Sequence, residues 1–483
     1  MKEKENHSLK EKVFSGFIWG FGERISAQLV SFAVSVVLAR MLAPSEYGII
    51  AMVLVFINIA NVFAVSGFGE ALVQKKDPTD ADYSTIFYYT LTVSLFIYIL
   101  LFFGAPYIAQ FYKTEQMVWV LRVLAVKIVI SSVSTIQHAY VQKHMMFKKF
   151  FFSTLGGTLI SGIVGIVLAR MGFGVWALVA QYLTNSLIDM CVLFFTVPWR
   201  PKPIFSMASA KSLMPLGWRF LGTDLINAVY NELRNLVIGR KYTSADLAFY
   251  NRGDKIPALA ISNIDSTIGR VVFPAMTTAQ SPEELKRIGR RAIMTASYLI
   301  FPLMVGMMIT APSIVRILYT DTWSETVIYM QILCVYWMTQ PIQTTNWQIL
   351  KALGCGDLCL KLEVLKKLVG IALIVGSVPF GVKAFAVSAA LHGIIGMIIN
   401  IVPNKKLIGY SLKEQMEDIF PAAAASVAMG TAVYALTLII SNTLILLLLQ
   451  VCTGVLVYWG LSVLFRMEAF NYLHTLLKEK LAH

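Results

Sequence analysis

NLVIGRKYTSADLAFYNRGDKIPAL, residues 235–259, is the stretch on which the reading of the fold turns. It carries Arg240, Lys241, Asp246, Arg252, Asp254 and Lys255, with Tyr and Asn between them, in a chain that is 57% hydrophobic and only 14% charged. Read as a soluble loop, it reverses the sidedness of everything after it. Read as a helix that crosses a bilayer, it must face something polar.

Apolar runs of about 20 residues, the length a helix needs to cross the hydrocarbon core, recur from end to end of the 483 residues. They lack the period-two alternation of a membrane barrel, so the class is all-α and polytopic. The first twelve residues, MKEKENHSLKEK, precede apolar sequence containing Glu23 and Arg24 with no small-residue cleavage site. They are expected to form a cytoplasmic tail before a retained first helix, not a signal peptide. The net charge of +14 is assigned to the positive-inside rule and not to nucleic acid. Among five cysteines only Cys355 and Cys359 are close, without a histidine or a second pair, so neither a zinc site nor a disulfide is expected.

Thirteen apolar spans are clear, at about 13–38, 49–73, 84–104, 118–141, 151–170, 174–197, 213–239, 292–312, 326–350, 364–381, 384–402, 419–440 and 443–465. Hydropathy skips 247–273. If that segment is a fourteenth span, the inner connections hold 26 Lys/Arg and the outer ones seven: Arg40, Lys113, Arg170, Arg240, Lys241, Arg316 and Lys383. If it is a loop, KRIGRR at 286–291 faces outward. The bias selects fourteen helices with both termini cytoplasmic.

An internal repeat gives the same answer. LARMLAPSEYGIIAM (38–52) aligns with IGRKYTSADLAFYNR (238–252) at an offset of 200, placing Arg40 on Arg240 and Glu46 on Asp246. FGVWALV (173–179) echoes FGVKAFA (380–386) at an offset of 207. Helices 1–6 are thus expected to be repeated by helices 7–12, with 13 and 14 added. Six helices per unit make this a parallel repeat about an axis along the membrane normal. The expected division is 1–205, 206–410 and 411–483.

The motifs LARMLAPSEYGIIAM, GFGEALVQ (67–74), APYIAQFY (105–112), GFGVWALV (172–179), RPKPIF (200–205), residues 235–259 and VVFPAM (271–276) resemble the polysaccharide transporter family. That family lies within the multidrug/oligosaccharidyl-lipid/polysaccharide exporter superfamily, and the likeness is to the group moving repeat units for exopolysaccharide, capsule or teichuronic acid. The resemblance implies two six-helix lobes around a central cavity open alternately to either side. It implies a polyprenyl-pyrophosphate oligosaccharide of the undecaprenyl type as cargo, moved to the outer leaflet of a bacterial cell membrane. Polysaccharide polymerase and glycosyltransferases would be its partners, with no cofactor.

The residues carry their own argument. With Arg170, Lys366 and Lys367 at the span ends counted among the connections, fifteen charged residues fall within the fourteen spans, nine of them on helices 7 and 8. Facing lipid, those nine would cost roughly 20 kcal/mol or more. At about 100° per residue, Asp224, Asn227, Asn231, Arg234 and Asn235 share one face of helix 7. Arg252, Lys255, Ser262, Asn263, Ser266 and Arg270 share one face of helix 8, with Asp254 and Asp265 on another. Arg24, Gln28, Ser31 and Ser35 form a stripe on helix 1. Guanidinium groups beside amides and hydroxyls suit a pyrophosphate carrying sugars. Arg24, Arg252, Lys255, Arg270, Asn227, Asn231 and Arg234 are therefore the expected substrate-binding set. Glu23, Glu70, Asp224, Asp254 and Asp265 pair with cations or hold a coupling ion; the sequence leaves both open, and the competing reading of the whole set is interlobe salt bridges.

Other constellations carry less. Asp80 and Asp82 have a glycosyltransferase-like spacing, but on so short a loop they are expected to cap helix 3. His138 and His392 are expected to be satisfied core groups. No nucleophile–base pair or phosphate loop is visible. A flippase is the reading, and a multidrug exporter of the same superfamily is its rival. A membrane polymerase or ligase is disfavoured by outer connections of at most about 13 residues.

Overall fold

The computed structural model describes residue 22, residues 26–65 and residues 67–481, without the side chains of residues 147, 266, 267, 270, 271, 476, 477 and 479–481. Glu23 and Arg24, and the side chain of Arg270, lie outside the described residues. Every regular element described is helical. Contacts divide the chain into two compact units, Met1–Ala248 and Phe249–His483.

The first unit holds α1 (Ser26–Ala39), α2 (Pro44–Val65), α3 (Phe68–Gln74), α4 (Asp80–Tyr112), α5 (Met117–Leu124), α6 (Val126–Lys143), α7 (Phe147–Arg170), α8 (Val175–Thr196) and α9 (Met207–Lys241). Helix α4 packs on α6, α6 on α8, and α7 on α8, while α9 lies along α2, α3 and α4. The core beneath them gathers Phe68, Leu72, Tyr83, Ile86, Phe87, Ile136, Leu193 and Trp199. Helix α4 starts where Thr79 and Asp82 form a reciprocal capping box, the role expected of the acidic pair; Asp80 instead meets Lys202 at 2.6 Å.

Helix α10 (Ser244–Thr267) carries the chain from the first unit into the second. The stretch that hydropathy skipped is a helix. A π-helical turn, Ile268–Val272, and a short α11 (Phe273–Thr277) prolong it. The second unit continues with α12 (Pro282–Tyr319), α13 (Thr326–Ala352), α14 (Gly356–Ser377), α15 (Val382–Ile408), α16 (Leu412–Ala435), α17 (Thr443–Leu464) and α18 (Glu468–Leu481). Helix α12 packs on α13, α13 on α15, and α14 on α15, in the order that α4, α6, α8 and α7 follow in the first unit. Helices α16 and α17 pack on α12 and on each other.

The matched motifs have matched geometry. Gly174 and Gly381, 207 residues apart, are the N-caps of α8 and α15, both with positive φ (54° and 88°), where an L side chain would be strained. Glu46 and Asp246 both cap: Oε2 of Glu46 accepts from the amide of Ala43 at 2.8 Å, and Oδ2 of Asp246 accepts from the amide of Thr243 at 3.1 Å.

Nine described helical segments are long and apolar enough to cross a membrane. Together with the shorter α1 they leave out α9, α10, α13 and α14. Those four are 35, 24, 27 and 22 residues long, each at or above the roughly 20 residues that span a bilayer. Polarity, not length, excludes them. The chain is a multi-pass membrane protein.

Candidate functional site

Helix α10 begins at a reciprocal cap, in which the Thr243 hydroxyl donates to Asp246 at 2.7 Å and in turn accepts from the Asp246 amide at 3.1 Å. About two and a half turns after its start, Gly253 meets α13 so closely that a Cβ there would stand 2.7 Å from the backbone nitrogen of Met330. That approach seats the flanking charges. Arg252 is 5% exposed, with its guanidinium carbon 5.4 Å from the centre of the Tyr319 ring and 5.5 Å from that of Trp323. Rings at this range stabilise a cation by about 0.5–2 kcal/mol, so a charge that hydropathy penalises has a local host. Asp254 accepts from the indole Nε1 of Trp337 at 2.8 Å. Lys255 is half-buried beyond them.

Farther along α10, Asp265 is in hydrogen-bond reach of Thr344, yet its Oδ1 is buried with no partner among the described residues. Asn263 turns its amide back to the Leu259 carbonyl at 3.3 Å. The π-helical turn holds Arg270 in its centre. Such turns widen the helix by one residue and recur at functional sites.

In the first unit the polar face of α9 is organised around Glu232. Its two oxygens accept from Asn58 Nδ2 at 2.8 Å and Asn235 Nδ2 at 3.0 Å. Asn231 is exposed, while Asn227 and Arg234 are half-buried. The Nε of Arg234 is buried with no partner among the described residues. Glu70 on α3 and Asp224 on α9 lie close enough to repel. The structure thus brings together two of the expected acids, Glu70 with Asp224, and separately groups Arg252, Asp254 and Lys255.

Several charges elsewhere are locally satisfied. Arg122 donates to the Phe102 carbonyl at 3.0 Å and Lys127 sits 5.5 Å from the Tyr182 ring centre. His138 Nε2 meets Asp189 Oδ2 at 2.8 Å, and Ser153 donates to the other oxygen of the same carboxylate. A serine bound to the acid and not to the imidazole is no nucleophile relay; His138 is satisfied, as expected of it. His392 Nε2 meets the Lys366 carbonyl at 3.1 Å. Sequence reasoning missed the aromatic host of Arg252, because Tyr319 and Trp323 lie more than sixty residues away in the chain.

This geometry belongs to a known fold. The chain is similar over 94% of its length to the lipid II flippase MurJ in an inward closed conformation, with a TM-score of 0.77 at 16% identity and 99% of that chain covered. An inward-facing multidrug resistance transporter of the MATE family matches 79% of this chain and 94% of its own, with a TM-score of 0.62 at 15% identity. Among curated relatives, the teichuronic acid biosynthesis protein TuaB of Bacillus subtilis is 22% identical over 448 residues, 89% of this chain and 90% of its own. A family model described as polysaccharide biosynthesis protein matches residues 37–328, more than half of the chain. The chain belongs to that polysaccharide biosynthesis family.

Proposed function

We propose that the protein is a flippase that carries a polyprenyl-pyrophosphate-linked oligosaccharide from the cytoplasmic to the outer leaflet by alternating access, for surface polysaccharide assembly. One observation carries the reading. Helices α9 and α10 run for 35 and 24 residues with Asp224, Glu232 and Arg234 inside the one and Arg252, Asp254, Lys255 and Asp265 inside the other, and charges at mid-helix need a polar lumen. In this reading fourteen helices cross the membrane, arranged as lobes 1–205 and 206–410 with helices 13 and 14 added, both termini cytoplasmic. Lys255, Arg234, Asn227 and Asn231 meet the pyrophosphate and sugars, with Arg24, Arg252 and Arg270 along the route. Asp224, Asp254, Asp265, Glu23 and Glu70 balance those cations or hold a coupling ion. Energy comes from a gradient or from the substrate.

Lys255 and Arg234 are the residues to test, because the burial of Arg252 between rings would confuse loss of transport with loss of fold. Lys255→Gln and Arg234→Gln are each expected to leave membrane-inserted protein at its normal level. Undecaprenyl-linked repeat units should then accumulate on the inner leaflet. Normal surface polysaccharide in the double variant would overturn the site. Lost drug resistance with intact polysaccharide would favour the multidrug exporter instead.

A further inference from the structure

The outer connections are expected to hold seven of the chain's 41 Lys and Arg, and three of those seven converge. Lys113, Arg240 and Lys241 line one pocket of about 600 Å³, wholly within the first unit, together with Tyr112, Thr114 and Thr243. That volume lies in the range of small-molecule sites, about 300–1,000 Å³. The positive-inside rule thins cations from this side of a membrane protein, so their gathering at one place needs a local reason.

Ion pairing does not supply it. Among the described residues no carboxylate comes within salt-bridge distance of Lys113, Arg240 or Lys241. The nearest acid in the turn, Asp246, is engaged by Thr243 as a helix cap. Arg240 is steadied by stacking, its guanidinium carbon 4.9 Å from the Phe111 ring centre. Lys113 occupies the left-handed cap of α4 at φ 55°, a place where glycine would be easier. Tyr112 packs beneath these cations, 6% exposed, with its hydroxyl buried.

We propose that this pocket is a phosphate-binding site that uses none of Arg252, Lys255 or Arg270. Lys113, Arg240 and Lys241 neutralise the oxyanion. Phosphate at this face has two sources of the same chemistry: the diphosphate of a lipid-linked saccharide and the headgroup of an anionic phospholipid. The site does not depend on which cargo the protein moves.

The test is lysine footprinting of the full-length protein in nanodiscs of neutral phosphatidylcholine, with an acetylating reagent and peptide mass spectrometry. Inorganic pyrophosphate should protect Lys113 and Lys241 together and leave Lys383 fully reactive. Arg240→Gln should raise the half-protecting concentration about tenfold, the effect of one charge-assisted hydrogen bond. Repeating the experiment with phosphatidylglycerol in the nanodisc separates the sources. Protection without added pyrophosphate identifies the lipid headgroup, and protection only by pyrophosphate identifies the free or saccharide-linked diphosphate. Equal reactivity of Lys113 and Lys241 with and without phosphate in both lipids would overturn the site. So would equal protection of Lys383, or an unchanged half-protecting concentration in Arg240→Gln.

Discussion

At the scale of single residues, the charge type in 235–259 was legible and its surroundings were not. Six charges in an apolar chain announce that something polar or aromatic must host them, but period and spacing describe only one helix at a time. Arg252 and Gly253 show the difference. The helical wheel puts Arg252 on a face with Lys255; the structure adds that Tyr319 and Trp323 lie over its guanidinium. Gly253 carries no signal in the local pattern, yet its missing side chain lets α10 close on α13. A Cβ at Gly253 would stand 2.7 Å from both Met330 N and Tyr329 Cβ, distances that force backbone to move. Gly253→Ala is therefore expected to destabilise by about 1–3 kcal/mol, the usual cost of overpacking. The measurement is the midpoint of thermal unfolding in detergent, with Gly460→Ala as control, since nothing lies within 4 Å of that position. Equal midpoints for the two variants would show that α10 and α13 do not close on each other at Gly253.

At the scale of elements, the helix starts were the most legible feature because their chemistry is local. Thr79-x-x-Asp82, Thr243-x-x-Asp246 and Ser411-x-x-Glu414 each place an acceptor three residues after a hydroxyl, and each closes into a cap. This also explains why Glu46 and Asp246 match across 200 residues: both carboxylates fasten a first turn, a role that needs no substrate. Thr243→Ala should cost about 1 kcal/mol, the ordinary worth of such a cap. Hydrogen exchange should locate that loss in the first turn of α10, leaving α12 unchanged. Side-chain networks between elements were illegible. Asn346 donates to Gln415 at 2.9 Å and accepts from Asn404 at 2.7 Å, joining α13, α15 and α16 through amides that are far apart in sequence. Nothing in the local pattern of any of the three predicts its partners.

At the scale of the whole molecule, the number of crossings is a matter of sidedness, and α12 is where it can be measured. Its 38 residues extend about 57 Å at 1.5 Å per residue, far more than the roughly 30 Å hydrocarbon core. One end must therefore stand in water. The amino-terminal end is the charged one, and its charges are engaged: Lys286 meets Glu414 at 2.9 Å, and Arg290 meets Asp418 at 2.8 Å and Glu468 at 2.9 Å. These contacts tie α12 to α16 and to the start of α18, so all three ends share one side of the membrane. If α10 crosses, that side is the cytoplasm, as its cations require. If α10 does not cross, the same cluster faces outward. Cysteine at Glu283, exposed at the head of α12, distinguishes the two, with cysteine at Lys241 as its counterpart beyond α9. A membrane-impermeant maleimide should label Lys241→Cys in intact cells and label Glu283→Cys only after permeabilisation, each measured above the unsubstituted chain. Labelling of Glu283→Cys in intact cells would place KRIGRR outside, remove the fourteenth crossing, and with it the case for a polar lumen along α10.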